Sequence, residues 1–156
     1  MKKIIFFLSF LIILASCGSD DDICLNSDST PRLKLRFRNA DDRFIRLDSL
    51  YVDINYGNNI YKNIITQANV DSIFVPLRID ESPYTDIHIR SRKSGDTSKV
   101  RISYDKKAVY VSPACGFKIN YENLKAELLQ INPVLSVQSN HTTLNNEGKV
   151  NFYLHF

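Results

Sequence analysis

Leu33-Lys34-Leu35-Arg36-Phe37-Arg38 alternates apolar and cationic side chains with a period of two. That is the pattern of a strand with one face in a core and the other in water. The period recurs along the chain. Leu50, Val52, Ile54 and Tyr56 share a face, and Ile87 and Ile89 alternate with Asp86, His88 and Arg90. Val100, Ile102 and Tyr104 mark another strand, and Val150, Phe152, Leu154 and Phe156 alternate to the last residue. A chain that ends on such a pattern is expected to pair its C-terminus inside a sheet.

The intervening stretches supply the punctuation. Gly57-Asn58-Asn59 tolerates positive φ and reads as a turn into a short return strand over Ile60–Ile65. Val70–Leu77 is apolar on both faces and reads as a more buried strand, in which Pro76, lacking an N–H, marks an edge, a bulge or the end. Ser94-Gly95-Asp96 reads as a second turn, and Asp105-Lys106-Lys107 as a tight connection into Val109 and Val111. Val134–Val137 supplies a late strand. Residues 120–130 alone suggest a helix: Tyr121, Leu124 and Leu128 share a face, Asn120 or Asn123 caps it, and Pro133 stops it. About eight strands, one short helix and no βαβ alternation predict an all-β fold, an antiparallel β-sandwich of Ig-like or Greek-key type, as a single domain over residues 31–156.

Upstream of this domain the sequence changes character. Lys2 and Lys3 precede an apolar run from Ile4 to Ala15 broken only by Ser9. Twelve residues rise about 18 Å as a helix, short of the roughly 30 Å hydrocarbon core, so residues 1–16 read as a cleaved export signal. Leu14-Ala15-Ser16-Cys17 resembles the lipobox of bacterial lipoproteins, in which a thiol behind small residues takes the diacylglyceryl group. Acyl chains on Cys17 therefore make a membrane the first expected partner. Gly18 stands where an inner-membrane retention signal would place Asp, and Ser19-Asp20-Asp21-Asp22 is similar to the acidic surface-export signal of Bacteroidota lipoproteins. Residues 17–30 read as a lipidated acidic tether, and the alternative to an export address within it is a plainly solvated acidic run. The expected location is the outer membrane, at its periplasmic face or on the cell surface.

Loss of Lys2 and Lys3 with the signal lowers the formal net charge of +3 by two, which leaves no nucleic-acid footprint. With Cys17 committed to lipid, Cys24 and Cys115 remain. Export places them where pairing is permitted, and a bridge closing about 90 residues would contribute roughly 4 to 5 kcal/mol in the chain-entropy model. Two separately buried thiols are the alternative. No CxxC spacing or His cluster suggests a metal, and no cofactor is expected.

Several fragments taken in order resemble one family: Cys24, Thr30-Pro31-Arg32-Leu33, Val70-Asp71-Ser72-Ile73-Phe74-Val75-Pro76-Leu77-Arg78, Ile102-Ser103-Tyr104 and Val111-Ser112-Pro113-Ala114-Cys115-Gly116. The chain resembles the Bacteroidota domain-of-unknown-function family six-four-five-two, made of small lipoproteins. The resemblance covers nearly the whole mature chain and implies an envelope lipoprotein with paired cysteines. It implies no activity, substrate or catalytic residue.

The remaining candidates are sparse. His88, His141 and His155 lie in separate segments, and no GxSxG, HExxH or Gly-rich phosphate loop is present, so no catalytic residue is assigned. Tyr51, Tyr110 and Tyr153 sit on the polar sides of their strands and would form a glycan platform if those strands were neighbours, although tyrosine is also simply a good strand former. Lys34, Arg36 and Arg38, with Arg90 and Arg92, offer a basic face for lipopolysaccharide phosphates or an ordinary solvated edge. Ser29 and Ser49, each after an Asp, resemble O-glycosylation acceptors of exported Bacteroidota proteins. The expected function is a non-enzymatic interaction or structural module of the cell envelope. A glycan-binding module is the alternative, and a hydrolase assembled only by the fold comes third.

Overall fold

A computed structural model describes residues 29–58 and 60–156, which form two packed β-sheets. The strands are β1 (Leu33–Arg38), β2 (Leu47–Asn55), β3 (Tyr61–Val70), β4 (Ser72–Val75), β5 (Tyr84–Arg90), β6 (Ser98–Ser112), β7 (Gly116–Gln130), β8 (Ser136–Ser139) and β9 (Phe152–His155). One sheet has the order β4-β1-β9-β8 and the other β3-β2-β5-β6-β7. All pairings are antiparallel except β1 with β9, which run parallel, so the sandwich is antiparallel-dominated rather than purely so.

The period-two residues build the core. Leu33, Leu35, Phe37, Phe152 and Leu154 of the four-stranded sheet meet Leu50, Val52, Ile54, Ile87, Ile89, Val100 and Ile102 of the five-stranded sheet, all fully buried. The C-terminal strand is paired on both sides, and the buried Asn151 just before it secures the entry. Its N–H donates to the Lys34 carbonyl at 2.9 Å and its Oδ1 accepts the Lys34 N–H at 3.1 Å.

Three expectations need correction. Val70–Leu77 is apolar on both faces because the chain changes sheets there. Val70 closes β3, Asp71 turns the corner, and Ile73 and Val75 enter the core from β4. Asn69, at φ 52°, takes the left-handed conformation that eases the corner. Pro76 stands directly after β4, where no ladder bond is needed.

The helix expected over 120–130 is a strand. Ser103 faces Lys125 and Asp105 faces Glu122, so two residues of β7, Asn123 and Leu124, oppose the single Tyr104. This is a β-bulge, with Asn123 at φ 54°. The extra residue resets the alternation, so Tyr121 and Leu124 both point into the core at a spacing that imitates a helical turn. Asn123 Nδ2 donates to Asp105 Oδ2 across the bulge at 2.7 Å.

Asp105-Lys106-Lys107 is not a connection either, because β6 runs through it unbroken and turns at Pro113–Cys115 instead. Up to Tyr104 the strand alternates buried and half-buried residues; beyond that point burial fades. β5 pairs with β6 only as far as Ser103. β6 and β7 thus continue as a two-stranded ribbon that ends in Gly116 at φ 67°.

Candidate functional site

The outer face of the five-stranded sheet carries a cross-strand array of polar side chains. Side chains opposite the core residues of β2, β5 and β6 must point outward, and the register sets Tyr51 against Arg90, Asp53 against His88, and Asp86 against Arg101. Cross-strand neighbours of opposite sign attract. Arg90 pairs with Asp53, whose other oxygen accepts Asn63 Nδ2 at 2.7 Å; Thr66 Oγ1 donates to Asn63 Oδ1 at 3.0 Å. With Tyr51 and Lys93 these groups line an open depression of about 570 Å³.

Asp86 anchors the adjoining half of the face. It is almost fully buried, yet Arg101 grips it through two bonds of 2.7 and 2.9 Å and Lys99 lies 3.0 Å away. Burial pushes its carboxyl up, but the hydrogen bonds and charges of Arg101 and Lys99 outweigh that and hold it below the usual range. The Arg101 guanidinium also stacks 3.9 Å from the Tyr84 ring centre.

His88 lies between the two ion-paired clusters, edge-on to Tyr61 with ring centres 4.9 Å apart. Burial, and then the Lys99 charge, lower its pKa below 6.5, against weaker opposing pulls from Asp86 and Asp53, while Arg90 adds to the lowering. A histidine kept neutral in this way contributes stability that is full above its unfolded value of about 6.5 and lost as pH falls through the lower folded value. Thermal unfolding midpoints should therefore fall more steeply from pH 7 to pH 5 for the wild type than for His88→Gln. Parallel slopes would mean that His88 carries no such linkage.

The outer face of the four-stranded sheet is basic and aromatic. Arg36 and Arg38 sit 3.8 and 4.8 Å from the Phe44 ring centre, Arg38 lies 3.7 Å from that of Tyr153, and Arg32 and Lys34 lie over Phe74. Arg32 is bound to Glu147 at 2.8 Å and Arg38 to Asp42 at 2.6 Å. The row Lys34, Arg36 and Arg38 therefore stands on one sheet, whereas Arg90 faces outward from the other and is paired with Asp53.

The three candidate tyrosines do not converge. Tyr51 belongs to the outer face of the five-stranded sheet, Tyr153 to that of the four-stranded sheet, and Tyr110 to the end of the β6–β7 ribbon. Each kept its outward orientation, but strand order separates the rings, so a platform of all three is not assembled. Ser29 is exposed, whereas the Ser49 hydroxyl is half-buried and donates to the Ser91 carbonyl at 2.5 Å. Cys115 lies in the turn of the ribbon. Cys17, Ser19, Asp20, Asp21, Asp22 and Cys24 lie outside the described residues.

The Asp86 hub and the depression beside Tyr51 were not anticipated from the sequence. The available signal was Asp86, His88 and Arg90 on one strand against Lys99 and Arg101 on another, which becomes informative only once the two are known to be neighbours.

No group of His, Cys, Asp and Glu able to hold a metal occurs among the described residues, and no described helix is long and apolar enough to cross a membrane. Attachment is instead written at the N-terminus, where residues 1–17 match the prokaryotic membrane lipoprotein lipid attachment site. The protein is a membrane-anchored lipoprotein. Residues 54–156, more than half of the chain, match a family of unknown function, DUF6452, and the chain belongs to that family. The fragments within 70–78, 102–104 and 111–116 fall inside the match, whereas Cys24 and Thr30–Leu33 precede it. No curated protein and no solved structure matches the chain.

Proposed function

We propose that this is a non-enzymatic outer-membrane lipoprotein of the Bacteroidota type, and that its sandwich is an interaction module for other components of the envelope. Acyl chains such as palmitate on Cys17 hold it at the periplasmic face or on the cell surface, with Ser19-Asp20-Asp21-Asp22 as the export address. The working surface in this reading is the outer face of the five-stranded sheet. The observation that carries it is the array beside Tyr51, in which Arg90 pairs with Asp53, Asp53 accepts Asn63 Nδ2, and Thr66 Oγ1 donates to Asn63 Oδ1. A preorganised surface loses little freedom on binding.

Three carboxylates outside the depression do not suit a glycosidase general acid. Asp80, Asp86 and Glu147 are all shifted downward, each gripped by Arg or Lys. A glycosidase general acid needs the opposite shift. A second reading, with a glycan as the ligand, draws on the depression itself, in which one aromatic ring stands beside a carboxylate, an amide and a guanidinium.

A Cys24–Cys115 bridge belongs to the same reading. The Thr30 hydroxyl accepts the Ile119 N–H at 3.0 Å, which holds the segment before β1 against the ribbon four residues from Cys115. Six residues from Thr30 back to Cys24 reach about 20 Å, enough to bring the two cysteines together.

Co-purification from chemically cross-linked outer membranes tests the proposal. Wild-type protein is expected to capture a defined envelope protein or glycan, and Tyr51→Ala/Arg90→Ala to lose it by about ten-fold, a change of roughly 1.4 kcal/mol. Equal capture by both, or turnover of an envelope polymer by the purified protein, would overturn it.

A further inference from the structure

The β6–β7 ribbon ends in a patch of unusual composition. From Ala108 to Phe117 the sequence reads Ala-Val-Tyr-Val-Ser-Pro-Ala-Cys-Gly-Phe, ten residues without a charge, while Lys107 precedes it and Lys118 follows. Tyr110 and Phe117 face each other across the two strands with ring centres 5.4 Å apart. They remain 57% and 69% exposed, so the pair packs against itself while most of its area stays in water. An isolated two-stranded ribbon has no core of its own to cover such rings, and an exposed apolar end flanked by polar residues marks a contact surface.

Its position in the chain says what it meets. The Thr30 hydroxyl accepts the Ile119 N–H, which fixes the start of the domain to the middle of this ribbon. The lipid attachment site ends at residue 17, so thirteen residues, at most about 45 Å of extended chain, separate the acyl anchor from Thr30. Gly116 lies only three residues beyond Ile119, about 10 Å along the strand. The aromatic end therefore lies well within the reach that the anchor permits. Exposed aromatic rings suit the headgroup boundary of a bilayer, where they enter the apolar margin.

We propose that the tip of the β6–β7 ribbon, with Tyr110 and Phe117 at its centre, is a second membrane contact that inserts into the lipid interface beside the acyl anchor. Acyl chains alone do not set the orientation of the domain they hold. A second contact sets its orientation, with the ribbon toward the bilayer and the Asn132 end of the sandwich away from it.

The chain contains no tryptophan, which makes a single introduced one a clean probe. Full-length acylated protein carrying Phe117→Trp, and separately Ile131→Trp at the far end of β7, is reconstituted into phosphatidylethanolamine–phosphatidylglycerol vesicles. Phe117→Trp is expected to shift its emission to the blue and to be quenched by brominated lipid at least about two-fold more than Ile131→Trp, as befits an interfacial aromatic side chain. Equal quenching of the two, with equal access to aqueous iodide, would overturn the proposal. Protection of Phe117→Trp in cells but not in pure lipid vesicles would also overturn it, because the occupant would then be a protein.

Discussion

Cys17→Ala is expected to abolish acylation, and with it the membrane association that acyl chains give the proposed cut form beginning at residue 17. The expectation rests on the lipid attachment match over residues 1–17 and on the thiol chemistry that the modification needs. Alanine preserves the small side chain at the cleavage site but offers no nucleophile for the diacylglyceryl group. Each buried methylene contributes about 0.8 kcal/mol, so one acyl chain binds marginally and two or three bind firmly. The interfacial contact of the β6–β7 tip is of the marginal kind and cannot replace them. In cells grown with labelled palmitate, the wild-type band should carry label and enter the detergent phase on extraction. The Cys17→Ala band should carry none, and its cut form should stay in the aqueous phase. A labelled Cys17→Ala band would place the acyl chain elsewhere.

Tyr121→Ala should be the most damaging single change in the sandwich. Tyr121 is fully buried, packs edge-on against Tyr104 with ring centres 4.9 Å apart, and exchanges backbone hydrogen bonds of 3.0 and 2.8 Å with Leu144. It thus closes the end of the core from which the ribbon departs and holds the loop that covers it. Truncating a buried aromatic to alanine costs about 3 to 5 kcal/mol, a large share of the 5 to 15 kcal/mol typical of a whole domain. A loss of that size lowers the thermal midpoint by roughly 10 to 20 °C. Tyr121→Phe separates packing from polarity. The hydroxyl's one described hydrogen bond, to the Leu77 carbonyl, is 3.5 Å long, so its removal should cost less than about 1 kcal/mol. Denaturant titrations of the two variants check both values. A Phe variant as unstable as the Ala variant would assign the stability to the hydroxyl.

The strands that carry the core were legible because hydrophobic alternation depends only on local register. Leu33, Leu35 and Phe37, and equally Val100, Ile102 and Tyr104, were placed on their buried faces by spacing alone. Where the alternation broke, the spacing misled. The bulge at Asn123–Leu124 gave Tyr121 and Leu124 a helical interval, and the corner at Asp71 made two strands of different sheets look like one buried strand. Asp105-Lys106-Lys107 looked like a turn because charge usually marks the surface. It lies at the surface, but in a ribbon that has left the core.

The candidate site was harder to read for a different reason. Period two places Tyr51, Asp53, Asp86 and Arg90 on outward faces, but not which strands are adjacent. Only the order β3-β2-β5-β6-β7 brings Asp53 to Arg90 and Asp86 to Lys99 and Arg101, and only the separate sheets part Tyr51 from Tyr153. Strand order is a long-range property, and the N-terminal signal was readable because it is not.

Photo-crosslinking in living cells asks most directly whether the sandwich works by binding through its five-stranded face. A photoreactive residue at Thr66, on the rim of the depression beside Tyr51, is compared with one at Ser136 on the edge strand of the other sheet. The expected result is a discrete cross-linked species from position 66 that is absent from position 136 and is lost with Tyr51→Ala/Arg90→Ala. Cross-linking from position 136 alone, or the same pattern from both positions, would contradict it.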